Sequence, residues 1–158
     1  MPCVDREGEM KLRRIYNLWK FIAVTEGLVV TAGSMQQWSF LVNGVGGLRT
    51  KPITLTGTNK VLEPLSSQDF DEFLLEWGDE PDIRQRAVNH FTGMVYAHPF
   101  EANNRVLAYA LANKVLLEAG QPMMCISNTN ALRREIMRFR RDESNDLKQL
   151  LLDAIKED

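Results

Sequence analysis

From Val106 to Ala119 the chain is apolar on nearly every side of a helix: Leu107, Ala108, Ala110, Leu111, Ala112, Val115, Leu116 and Leu117 leave almost no face to turn toward water. A helix of that kind is covered all round, so the pattern predicts a mainly α domain with this segment at its centre. Gly120 and Pro122 stop it. The helices that cover it are legible on both sides. Glu9 to about Val30 reads as a helix with Leu12, Ile15, Tyr16, Trp19 and Ala23 near one face, and Glu26 is a carboxylate on that stripe. Gly33-Ser34 opens a shorter helix through Met35, Trp38 and Leu41, closed by Gly44, Gly46 and Gly47. Ser66-Ser67-Gln68-Asp69 is a cap for a helix carrying Phe70, Phe73, Leu74 and Trp77. Pro81-Asp82 restarts helix through Ile83, Ala87, Val88, Phe91, Met94 and Val95. Two amphipathic helices, near Asn130–Arg140 and Ser144–Lys156, finish the chain.

One stretch changes period. Ile53 and Leu55 alternate with Thr54 and Thr56, and Gly57-Thr58-Asn59 supplies a turn before Val61, which predicts a β-hairpin over 51–62. No linker or repeat divides the 158 residues, so a single domain over 1–158 is expected.

A net charge of -2 argues against broad electrostatic binding to nucleic acid and gives no reason for adhesion to an anionic membrane. The apolar run from Phe21 to Val30 is interrupted by Thr25 and Glu26 and is too short to span a bilayer. The first residues carry early acids and no apolar signal-peptide core. Cys3 and Cys125 have no metal or redox spacing. A reduced, cytoplasmic setting is the plain reading; an effector exported by a dedicated machine would carry no mark visible in composition. The run Arg133, Arg134, Arg138, Arg140, Arg141 is followed by Asp142, Glu143 and Asp146 and reads as a solvated helix face. His90, beside Phe91 and Met94, reads as a packed histidine.

The residues that carry chemistry precede the apolar helix. His98-Pro99-Phe100-Glu101-Ala102-Asn103-Asn104-Arg105 places an imidazole, a carboxylate, two amides and a guanidinium in one short loop. A helix N-terminus offers free N–H groups and partial positive charge to an anion. Arg105 can fork onto phosphate oxygens, Glu101 can reach a phosphate through a shared Mg²⁺, and His98 can take a proton near neutral pH. A plainer reading is equally open at this point. Asn103 or Asn104 makes an ordinary N-cap, Glu101 an ordinary first-turn acid, and Pro99 merely ends the preceding helix.

The loop resembles the Fic signature, His-x-Phe-x-Asp/Glu-Gly/Ala-Asn-Gly/Lys-Arg. Gly47-Leu48-Arg49 with the 51–62 hairpin is similar to the Gly-x-Arg and flap that precede the signature in that family. Leu107 to Pro122, ending in Ala-Gly-Gln-Pro, is similar to its central helix and exit. The resemblance runs in order over residues 15 to 155. It implies a mainly α, Fic-like helical domain with a β-hairpin flap, and transfer of AMP from Mg-ATP to a Ser, Thr or Tyr hydroxyl of a target protein. His98 would be the general base, Phe100 the loop's anchor and Glu101 the Mg²⁺ ligand. Asn103, Asn104 and Arg105 would bind nucleotide phosphates. Ile53, Thr54, Leu55 and Thr56 of the flap would dock the target by strand addition. Thr25-Glu26-Gly27 resembles part of the family's inhibitory helix, Ser/Thr-x-x-x-Glu-Gly/Asn, with Ile22 where Ser or Thr is usual. That implies a candidate inhibitory helix over 8–30 whose Glu26 pairs with Arg105, with Gly27 following.

Two departures stand out. Phe100 is followed at once by Glu101, so the motif is one residue short, and Asn104 replaces the usual Gly or Lys. One residue is about 3.3 to 3.6 Å of chain, against a hydrogen-bond reach near 3 Å for proton transfer. The shortened motif keeps rival readings open: a nucleotide- or partner-binding domain without catalysis, transfer of UMP or phosphocholine, removal of AMP, or a plain helical interaction domain.

Overall fold

The computed structural model describes residues 6–24 and 30–155. Among them are seven helices and one hairpin: α1 (Arg6–Val24), α2 (Ala32–Asn43), β1 (Ile53–Thr54), β2 (Val61–Leu62), α3 (Ser67–Gly78), α4 (Ile83–Ala97), α5 (Asn104–Glu118), α6 (Thr129–Arg140) and α7 (Asp146–Ala154).

α5 is the covered centre that its composition predicts. Leu107, Ala108, Ala110, Leu111, Ala112 and Leu116 are all inaccessible to solvent, and the run of alanines lets α4 lie close along it, the most extensive pairing in the molecule. α1 and α2 also reach α5, α3 packs on α4, and α7 packs on α4 and α6. Two polar residues on this buried helix are satisfied rather than exposed. Asn113 accepts from the Met124 N–H at 2.7 Å, and Lys114 pairs with Glu118 at 3.0 Å. The segment after α5 turns at Gly120, whose φ of 68° is left-handed, and returns as a bridge between Met124 and Ile155.

Local chemistry sets the helix starts. Thr31 caps α2 in a reciprocal box with Ser34, so α2 begins ahead of the expected Gly33-Ser34 opening. Ser66, Asp82 and Asn128 cap α3, α4 and α6 with side-chain oxygens. α1 departs from its predicted face. Leu12 and Tyr16 are 70% and 65% exposed, while Leu18 and Ile22 are buried. The helix is rotated so that Leu18, Trp19 and Ile22 meet the core. Of its expected extension, residues 25–29, with Thr25, Glu26 and Gly27, lie outside the described residues, and Val30 is not helical.

The hairpin is shorter than the 51–62 pattern suggests: only Ile53↔Leu62 and Thr54↔Val61 pair. Leu55 is fully buried and anchors the turn, which its N–H closes on Lys60 O at 2.8 Å. No helix among the described residues is long and apolar enough to cross a membrane.

Candidate active-site loop

The loop between α4 and α5 is gripped from three sides. Pro99 forbids continuation of α4, and His98 closes that helix in a left-handed conformation, φ 48° and ψ 57°. Phe100 is fully buried and meets Phe70 edge-on at 6.0 Å. Inside the loop, the Asn104 amide brackets Phe100: Oδ1 accepts from the Phe100 N–H at 3.0 Å and Nδ2 donates to the Phe100 carbonyl at 2.8 Å. From α2, Asn43 Nδ2 donates to Ala102 O at 3.1 Å, and Asn103 Nδ2 donates to Asn43 Oδ1 at 2.6 Å. From the flap side comes Arg49, buried to 2% exposure. Its N–H donates to Pro99 O, and its guanidinium to the carbonyls of His98, Lys51, Leu62 and Glu63. One side chain thus ties the loop to both flanks of the hairpin.

The start of α5 is open. Asn103 is the N-cap residue but is itself left-handed, φ 60°, and makes no side-chain cap. The first-turn N–H groups are therefore available to an anion, unlike those of α2, α3, α4 and α6.

The positive charge around this opening is concentrated. His98 is pushed down to about 4, by burial first and then by the neighbouring Arg140 and Arg49. Its Nδ1 is buried with no hydrogen-bond partner among the described residues. The ring is neutral at pH 7 and able to accept a proton. Arg105 is lowered by burial and by Arg133, and Arg140 by burial and by Arg105.

The loop's polar groups are divided between two clefts. Glu101 and Asn103 line a cavity of about 830 Å³ with Asn43, Arg14 and Gly47. Arg105 lines a smaller apolar one of about 260 Å³ with Trp19, Phe91, Tyr109 and Leu132. The two share no lining residue. Asn104 does not present its side chain to either cleft: it is buried on Phe100, and the left-handed residue of the loop's end is Asn103. Glu26 and Gly27 lie outside the described residues. In the flap, Thr54 and Thr56 are exposed, Ile53 is half-buried and Leu55 is core.

As for a metal, no cluster of three or more His, Cys, Asp or Glu occurs among the described residues. The exposed Glu101 carboxylate at the wall of the larger cleft fits a Mg²⁺ that arrives with phosphate oxygens, since that ion takes few protein ligands and retains waters.

Sequence reasoning did not single out Asn43, or Arg133 and Arg140. Asn43 carries no local signal, and the two arginines were hidden in a run whose other members are ordinary surface charges. Arg49 was visible only as part of Gly47-Leu48-Arg49.

No family model matches the chain, and no curated protein matches it. Among solved structures it is similar to a Fic domain containing signaling protein from Bacteroides thetaiotaomicron, with a TM-score of 0.65 at 17% identity, covering 92% of this chain and 70% of that one. At that identity the likeness is one of fold. The chain has a mainly α, Fic-like fold.

Proposed function

We propose that this Fic-like domain transfers AMP from Mg-ATP to a Ser, Thr or Tyr hydroxyl of a target protein, with the 98–105 loop as its catalytic centre. The observation that carries the reading is the neutral His98 beside the uncapped start of α5, on a loop in which His98, Pro99, Phe100, Ala102, Asn103 and Asn104 are each hydrogen-bonded.

In the proposed reaction the target oxygen attacks the α-phosphorus of ATP, a new P–O bond forms, the bond to the β-phosphate oxygen breaks, and pyrophosphate leaves. His98 takes the hydroxyl proton on a ring nitrogen. Its low proton affinity weakens it as a base, and a bound polyanion offsets Arg140 and Arg49 and raises that affinity toward neutral pH. The α5 N–H groups and Arg105 hold phosphate oxygens in place, so the protein's contribution is positioning and preorganised charge. Mg²⁺, when bound, neutralises phosphate charge; Glu101 is its candidate ligand. Each strand of the hairpin has an outer edge free of any other strand among the described residues, a place for an extended target segment. We also propose inhibition by Glu26 competing with phosphate for Arg105.

A second reading has its own support. The motif is one residue short, and Glu101 and Arg105 fall in separate clefts, an arrangement suited to a domain that binds nucleotide without transferring AMP.

Incubation with Mg²⁺ and α-phosphate-labelled ATP separates the readings when wild type, Glu26→Gly and His98→Ala are run together. AMP transfer predicts label on protein with pyrophosphate release, more of both in Glu26→Gly, and neither in His98→Ala. Bound ATP with no label in any variant establishes the second reading. Competition by UTP or CDP-choline tests the other transferred groups.

A further inference from the structure

α6 and its C-terminal cap carry five arginines, and the structure divides them. Arg134 lies 3.6 Å from Glu135, Arg138 is 3.2 Å from Glu135 and 3.5 Å from Asp146, and Arg141 is 4.0 Å from Glu143. Arg133 and Arg140 stand two turns apart on another face. No carboxylate among the described residues pairs with either of them, nor with Arg105.

That face runs from the start of α5 to His98. Thr129 and Leu132 of α6 wall the same cleft as Arg105. At the other end, Arg140 Nε donates to Val95 O at 3.2 Å, on the last turn of α4 that leads into His98. Seven helical residues separate the two arginines by about 10 Å along the axis. Three guanidinia with no paired carboxylate among the described residues repel one another, and each depresses a neighbour: Arg133 acts on Arg105, Arg105 on Arg140, and Arg140 on His98. Such an arrangement is relieved by an anion. The spacing along α6 fits a chain of phosphates better than one tetrahedral ion, and the acids on the paired face disfavour a nucleic-acid backbone.

We propose that Arg133 and Arg140 of α6, together with Arg105, form a trough beside His98 that binds a linear polyphosphate. Its identification with the polyphosphate of ATP rests on the AMP-transfer reading.

Calorimetric titration of the full chain with pyrophosphate, tripolyphosphate, AMP and ATP tests this. Wild type would be compared with Arg133→Gln, Arg140→Gln, Arg140→Lys and the ion-paired control Arg134→Gln. Tripolyphosphate should bind more tightly than pyrophosphate. Arg133→Gln and Arg140→Gln should each weaken it about tenfold or more; Arg140→Lys should retain most of the affinity, and Arg134→Gln all of it. Arg133 is exposed, so its variant does not threaten folding. Equal affinity in Arg133→Gln, Arg140→Gln and wild type overturns the trough; ATP bound normally by all of them leaves the nucleotide reading standing without it. Tripolyphosphate that binds through these arginines while ATP binds no better supports the trough and removes the nucleotide reading. No binding of any probe by wild type or by Glu26→Gly overturns both.

Discussion

His98 occupies a place where burial and two neighbouring guanidinia oppose its charging, which holds it near 4 against an ordinary 6.5. In the unfolded chain the same ring takes up a proton more readily. The unfolded state therefore binds more protons between about pH 6.5 and 4, and stability falls as pH drops through that window. His98→Asn should flatten part of that loss, measured as the urea midpoint against pH, with no difference from wild type above about pH 7. A ring-proton titration with a midpoint near 6.5 would contradict the buried, arginine-flanked geometry. Asn104 is the other residue on which the loop depends. Asn104→Ala strands the buried N–H and C=O of Phe100, at about 1–3 kcal/mol for each group left without a partner. Asn104→Asp should not rescue it, because a carboxylate supplies the acceptor but opposes the Phe100 carbonyl. Chemical denaturation of both variants measures this.

Between elements, the strongest single tie is Arg49, whose guanidinium reaches carbonyls on the loop and on both sides of the hairpin. Lysine has the charge but not the planar fork. Arg49→Lys should therefore loosen the flap, raising hydrogen exchange at Leu55 and Arg49, whose N–H groups are bonded to Lys60 and Pro99. The hairpin is also held to the end of α6, where Lys60 pairs with Asp142 and Arg141 donates to Gly57 O. These pairs are exposed and contribute little by comparison. The α3–α4 contact is set by Gly93, against which Trp77 lies. A methyl there would come within 2.1 Å of the indole. Gly93→Ala should destabilise by about 1–3 kcal/mol through overpacking, seen as a lower melting temperature with little change at the loop. A melting temperature equal to wild type would mean that Trp77 can move aside at no cost.

At the scale of the molecule, one apolar cluster joins the described helices around α5, and the loop is mounted on that scaffold. With no ready-made cluster of acidic or histidine ligands among the described residues, Mg²⁺ alone should leave the melting temperature unchanged. Mg-ATP should raise it in proportion to the logarithm of its concentration above its dissociation constant. Glu101→Gln should reduce the Mg²⁺-dependent part of that rise and leave the ATP-only part. A rise with Mg²⁺ in the absence of nucleotide would show a metal site that Glu101 does not explain.

Much of this was written locally. The all-round apolar pattern of 106–119 determines a covered central helix, and the starts read at Ser66 and Asp82, with the stop at Gly120, determine elements around it, because each acts within a few residues. The loop could be read as one that gathers an imidazole, a carboxylate, two amides and a guanidinium. Which groups face which cleft was not legible, since that depends on contacts made across long stretches of chain. Asn43 reaches Asn103 across 60 residues, and Arg49 reaches His98 across 49. The face that α1 buries and the separation of Arg133 and Arg140 from Arg134, Arg138 and Arg141 were decided the same way. Periodicity marks a stripe on one helix, but only packing against neighbours chooses how that helix turns and which charges find partners.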